Sequence, residues 1–205
     1  MSEKLISLRD WEVLAFLAGI KSLIARPIVP KPEARYVGGW YIAMENKPES
    51  CKFYSHQPTD DDMTAYAEGI ASYAPYQPGD VLWGRERWAV RNDLPLEMHT
   101  KGDVLYLADS MFDDERARHY IKRSPVQMPR WASRITRTVT KAYALRVADI
   151  NEDELRRLGM AKPDNVDAAH RALFELYWNQ DWPPQTHYLD HAGLNEWAWI
   201  YEVTE

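Results

Sequence analysis

The run Tyr76–Trp88 reads Tyr-Gln-Pro-Gly-Asp-Val-Leu-Trp-Gly-Arg-Glu-Arg-Trp. Pro78-Gly79-Asp80 marks a turn. Val81–Trp88, rich in Val, Leu and Trp, predicts a strand. Side chains alternate along a strand, so Leu82, Gly84, Glu86 and Trp88 share one face and Val81, Trp83, Arg85 and Arg87 the other. Glu86 therefore points with Leu82 and Trp88 towards an apolar surface. A carboxylate in that position requires a partner. Two readings follow: a structural Arg neutralises Glu86, or Glu86 stands in a cleft as a general acid or base.

Further candidates are cationic and aromatic. Lys21 follows Gly19, a glycine suited to the position just past a helix end. There its ammonium is favoured by the negative end of the helix dipole. Arg26 follows, and Pro27 and Pro30 prevent helix from resuming. Trp83, Trp88 and Trp131 lie among Arg85, Arg87, Arg130 and Arg134. Such a combination can stack a base and hold its phosphate, or it can be core tryptophans edged by solvated arginines. His187 and His191 have i,i+4 metal spacing but no third ligand at a telling distance, so no metal is expected. Cys51 has no thiol partner and no convincing His beside it. No glycine-rich phosphate loop occurs, and no cofactor is implied.

The elements that must position these groups read as follows. Ser7–Ala18 predicts a helix capped by Ser7, with Trp11, Leu14, Leu17 and Ala18 on its apolar stripe and Val13 and Phe16 widening it. Gly39–Met44 and Ser50–Tyr54 are short strand candidates. Thr59 opens a helix whose Asp60, Asp61 and Asp62 compensate its dipole. Asp103–Ala108 is a strand candidate and Asp113–Arg123 a charged segment. Ile135–Val147 is a long alternating strand, with Ile135, Val139, Tyr143, Leu145 and Val147 on one face; at that length it should bend. Asn151–Leu158 is a helix with an Asn151/Glu154 capping box, ended by Gly159. Asp167–Asn179 is a longer helix burying Ala169, Leu173, Leu176 and Tyr177. Glu196–Val203 is apolar on both faces and so should be central. The expected class is α+β around a small mixed barrel.

The chain has 205 residues, 45% of them hydrophobic, with nine Trp and one Cys. That suits a single domain with insertions at about 36–73 and 91–126, and a reducing, cytoplasmic setting. No segment reads as a signal peptide or a membrane span. The net charge of -6 argues against a generic nucleic-acid binder. Its distribution is uneven, however. Nine Lys or Arg and no Asp or Glu fall between Arg116 and Arg146, leaving 16 basic against 31 acidic residues elsewhere. Those nine either focus a positive field on one face or pair with the acidic remainder.

Several segments together resemble the ASCH family of the PUA-like barrel superfamily, in its phage and prophage branch. Gly19-x-Lys21-x-x-x-x-Arg26 matches the family's G-x-K-x-x-x-x-R motif. Pro78–Trp88 resembles that branch's "PGD-x-LW-x-RE-x-W" and Met128–Ile135 its "MPRWASRI"; Asp149-Ile150-x-Glu152-Asp153 and the Trp-rich final strand also fit. The resemblance implies a barrel with a cleft between first helix and strands, suited to RNA or a nucleoside. Some small members remove the acyl group from N4-acetylcytidine, relying on the motif Lys, a Thr three residues later and a Glu in the helix after the long strand; others are reported as ribonucleases. Here the Lys is Lys21, but the Thr position is Ile24 and the Glu position falls at Leu158, so the activity does not carry over on fold alone. The expectation is a PUA-like module binding RNA or a modified nucleoside through Arg26, Trp83, Arg85, Arg130, Trp131, Ser133 and Arg134. The alternatives are a hydrolase using Lys21 and Glu86, and a phage accessory protein that binds a host protein.

Overall fold

The computed structural model describes residues 2–28, 34–37, 40–43, 52–54, 74–109, 114–160, 168–181 and 197–205. In chain order these form β1 (Glu3–Ser7), α1 (Asp10–Leu17), β2 (Leu23–Pro27), β3 (Ala34–Val37), β4 (Trp40–Ala43) and β5 (Lys52–Tyr54). Next come β6 (Val81–Arg85), β7 (Trp88–Arg91), β8 (Val104–Tyr106), α2 (Asp114–His119), β9 (Tyr120–Arg123) and β10 (Thr136–Arg146). The chain closes with α3 (Glu152–Arg157), α4 (Ala168–Asp181) and β11 (Trp197–Thr204). The expected helix from Thr59, Cys51 and the His187/His191 pair lie outside the described residues.

The class is α+β. The main sheet runs β1-β6-β10-β11-β2, with β1 and β6 parallel and the other pairs antiparallel. It is mixed, as expected, but among the described residues β1 and β2 are edges and the sheet does not close into a barrel. The order β3-β4-β5 makes a second, antiparallel sheet and β8-β7-β9 a third. These smaller sheets fall largely within the two segments expected as insertions.

β1 corrects the reading of the N-terminus. Ser7 ends a strand that pairs with Val81–Arg85, and the helix begins at Asp10 with Arg9 as N-cap. Strand pairing to a partner more than 70 residues away outweighs a local capping preference. The helix also lies on a different face. Glu12, Val13, Ala15 and Phe16 are buried, whereas Leu14 and Leu17 are 46% and 48% exposed.

Two apolar clusters lie on opposite faces of the main sheet. One gathers Ile6, Val13, Phe16, Ile24, Leu82, Val139, Trp199, Tyr201 and Val203. The other gathers Leu23, Ala25, Ala198, Ile200, Leu155, Leu158, Phe174 and Trp178, with Tyr143 and Leu145 against it. β11 feeds both and is central, as its two-sided apolarity predicts. β10 also feeds both, for another reason. Its pairing with β11 shifts register between Val139 and Lys141. One extra residue reverses the alternation, so Val139 faces one cluster and Tyr143 the other. The residues from Ile135 to Val147 expected on one face are therefore divided between two. In α4, Phe174 and Trp178 are the buried anchors and Leu176 is exposed, against expectation.

Candidate functional site

Glu12 is the residue that sequence reasoning missed. It stands in the first turn of α1, where its Oε2 accepts the Arg9 backbone N–H at 3.1 Å. Arg26, at the end of β2, donates from Nη1 to Glu12 Oε1 at 3.0 Å and from Nη2 to Oε2 at 3.1 Å. The same guanidinium reaches the Ala25 and Ser7 carbonyls, tying β2 to the end of β1. Lys21 Nζ lies 3.5 Å from Glu12 Oε1, and both side chains are almost wholly buried. Burial opposes the charge on Glu12, yet Arg26, Lys21 and the Arg9 N–H together hold its carboxyl below the usual range. Burial pushes the Lys21 ammonium down to about 8, against the raising influence of Glu12. The signal available in the sequence was one carboxylate heading the apolar run Val13–Ile20. It is the same signal that singled out Glu86.

Lys21 Nζ donates to the Leu158 carbonyl at 2.6 Å, and the neighbouring Ser22 N–H to the Arg157 carbonyl at 2.8 Å. These oxygens are among the unpaired carbonyls at the C-terminus of α3. Lys21 thus caps α3, not the helix that precedes it in sequence. Gly159, at φ +91, makes the approach possible: a Cβ there would lie 2.7 Å from Ala15 Cβ and 3.4 Å from Lys21 Cβ. The Asn151/Glu154 capping box forms at the other end of α3 as expected.

Around this cluster opens a cleft of about 260 Å³, open solvent included. α1 contributes Trp11 and Glu12, β2 and its approach Lys21, Ala25 and Arg26, and α3 Leu158. α4 contributes Phe174, Tyr177 and Trp178. Trp11 and Tyr177 stack, with centroids 5.1 Å apart and planes at 19°. Lys21 Nζ lies 4.8 Å from the Trp11 ring centroid. Trp11 Nε1 is buried and has no hydrogen-bond acceptor among the described residues. A buried N–H without a partner is costly and demands an explanation.

Glu86 and Arg134 do not line this cleft. The strand containing Glu86 breaks: β6 ends at Arg85, and β7, which starts at Trp88, belongs to another sheet. Glu86 sits at the crossover, 1% exposed. Arg134 clasps it with Nε to Oε1 at 2.9 Å and Nη2 to Oε2 at 2.8 Å. Arg134 also forks onto Asp109 and covers the Tyr106 ring at 4.1 Å. Burial pushes the Glu86 carboxyl above its ordinary value, and Arg134 offsets this only in part. Of the two readings of Glu86, this geometry is that of the structural ion pair. It joins β6 and β7 to the loops after β8 and before β10.

The remaining candidates separate. Ser133 is buried, and its hydroxyl donates to the Gly84 carbonyl at 2.8 Å. Trp131 is exposed. Arg85 and Arg130 flank the Trp83 ring at 4.9 and 5.9 Å. Among the nine bases between Arg116 and Arg146, Arg130 meets Glu3, Arg134 meets Glu86 and Asp109, Arg137 meets Glu205, and Lys141 meets Glu202. Ile24 faces the cluster opposite Leu23 and Ala25 and does not line the cleft. Leu158 offers the cleft a carbonyl in place of a carboxylate.

The fold and the cluster define an α+β protein with a buried, charged cleft beside an open mixed sheet. No family model, curated protein or solved structure matches the chain. Among the described residues, no helix is long and apolar enough to cross a membrane, and no three His, Cys, Asp or Glu could jointly hold a metal ion.

Proposed function

We propose that the chain is a PUA-like module of ASCH type that holds one nucleobase, free as a nucleoside or nucleotide or within RNA, in the cleft beside Lys21. The observation that carries this reading is the unpaired Trp11 N–H on an aromatic wall that also holds a buried ammonium and carboxylate. A heterocycle carries both acceptors and donors on its edge. It can accept from Trp11 Nε1 and Lys21 and donate to Glu12 while its face covers an aromatic ring. Nucleosides and nucleotides titrated into the protein should quench Trp fluorescence. Trp11→Phe, which keeps the ring face and removes the N–H, should weaken binding roughly tenfold, the worth of one hydrogen bond to a buried donor. Affinity unchanged in Trp11→Phe, or no binding by the parent, would remove the cleft from the account.

One observation favours hydrolysis. With its pKa at about 8, Lys21 is in part a neutral amine near neutrality and can relay a proton. Among the described residues no Ser, Thr or Cys lines the cleft, so water would be the nucleophile. Acyl-cytidine cleavage that rises with pH through about 8 and vanishes in Lys21→Met supports this second reading; no release of acyl group at any pH refutes it.

A further inference from the structure

Glu12 gives most of its carboxylate to groups other than Lys21. Arg26 holds its two oxygens at 3.0 and 3.1 Å, and the Arg9 N–H takes Oε2 at 3.1 Å. Lys21 Nζ stands off at 3.5 Å. An ammonium has three donors. Here one is committed to the Leu158 carbonyl, and the rings of Trp11 and Phe16 lie 4.8 and 5.6 Å from Nζ. A buried ammonium with so little compensation tends to shed its proton and become a nucleophile.

We infer that Lys21 is a nucleophilic amine and that the cleft captures an aromatic aldehyde on it as a Schiff base. This capture rests on the cleft being a ligand site, as proposed above, and adds to it a covalent step and a different ligand class. The walls select the class: Trp11, Phe174, Tyr177 and Trp178 line the cleft, so a flat apolar ring suits it. The aldehyde oxygen is the acceptor that Trp11 Nε1 lacks among the described residues. In the first step the neutral amine attacks the carbonyl carbon, a C–N bond forms and the carbonyl π pair moves to oxygen. One proton passes from nitrogen to that oxygen, with Glu12 Oε1 at 3.5 Å placed to carry it. The proton that the ammonium gave up then returns to the hydroxyl, the C–O bond breaks and water leaves. Ammonium and aldehyde thus become iminium and water, and the positive charge beside Glu12 is unchanged. The iminium N–H remains as a donor for the Leu158 carbonyl. The charged groups facing Nζ among the described residues are Glu12 on α1 and Arg26 on β2; α3 presents a carbonyl and α4 the Tyr177 ring. Burial outweighs the pull of Glu12 and brings the ammonium from 10.5 to about 8. At pH 7 roughly a tenth of Lys21 is then neutral amine, against about one in 3,000 for an ordinary lysine.

The probe is benzaldehyde, incubated with the full chain and sodium cyanoborohydride, which reduces an iminium to a stable secondary amine. Digestion and mass spectrometry then map the benzyl groups. Lys21 should be labelled at least roughly tenfold faster than any other lysine, less than the ratio of neutral fractions because its amine is less basic and enclosed. That lead should shrink as pH rises above about 8, where Lys21 is already neutral and ordinary lysines are still losing protons. Lys21→Arg keeps a cation and donors but forms no Schiff base, so only the fast adduct should disappear. The mapping is done on the parent protein and decides the matter whether or not this variant folds. Benzyl groups confined to other lysines overturn the proposal. So does Lys21 labelling that appears only in urea, or a lead that grows with pH. Nucleoside titration keeps the two readings of the cleft apart. Lys21 labelled without nucleoside binding leaves the Schiff-base site and removes the nucleobase; nucleoside binding with Lys21 unlabelled removes the Schiff base alone.

Discussion

Lys21 and Glu86 are both buried charges, and their partners give them different roles. Lys21 touches a main-chain carbonyl and shares Glu12 with Arg26. Lys21→Met leaves Glu12 paired with Arg26 but strands the Leu158 carbonyl, so a loss of about 1–3 kcal/mol is expected in urea unfolding. A lysine at the end of α1 would have been worth only about 0.3–1 kcal/mol. The loss should depend on pH. An amine whose pKa falls from 10.5 to about 8 on folding is disfavoured as a cation in the native state. The parent therefore gains stability as pH rises from about 8 towards 10.5, while Lys21→Met lacks that gain. The gap between them should widen across this window; a gap that narrows would place Lys21 in a site that favours its charge. Glu86→Gln, by contrast, breaks a buried fork. Arg134 keeps Asp109, so the expected cost is about 1–3 kcal/mol, below that of a fully orphaned charge. Nucleoside binding should persist in that variant; its loss would return Glu86 to the site. A buried carboxylate was legible in the sequence at Glu86, but its partner was not, because Arg134 lies 48 residues away.

At the scale of elements, α1 shows where local pattern fails. Trp11, Leu14, Leu17 and Ala18 make a sound helical stripe, yet the sheet meets the side bearing Val13 and Phe16. An eight-residue helix this apolar has two faces that could serve as the buried one, and the docking surface chooses. Phe16→Ala should cost about 3–5 kcal/mol, whereas Leu14→Glu should fall within about 0.5 kcal/mol of the parent. Thermal melts showing the reverse would restore the predicted stripe. α3 depends on its end. Gly159→Ala meets both a left-handed backbone and the Ala15 Cβ at 2.7 Å. A cost of about 2–4 kcal/mol follows from strain and overpacking together. Nucleoside affinity should fall as well, because the Leu158 carbonyl that holds Lys21 would move.

Across the whole molecule, β11 couples the two apolar clusters, since Trp199 and Ile200 face opposite sides of one strand. Trp199→Ala should cost about 3–5 kcal/mol and Ile200→Ala about 2–5 kcal/mol. Both should lower one common transition, with circular dichroism and fluorescence coinciding; separate midpoints would show that the clusters unfold independently. The central place of β11, the α3 capping box, the glycine stop after α1 and the α+β class were all determined by sequence alone. Each depends on side-chain alternation or on contacts within about four residues, and such physics is written locally. The parallel pairing of β1, the Glu12–Lys21–Arg26 cluster and the division of β10 between two faces were decided by the tertiary structure. The first unites segments more than 70 residues apart, and the second joins the first turn of α1 to β2 across up to 14 residues, beyond the reach of a local pattern. The third turns on one inserted residue, which no alternation pattern marks until the strand is paired with β11.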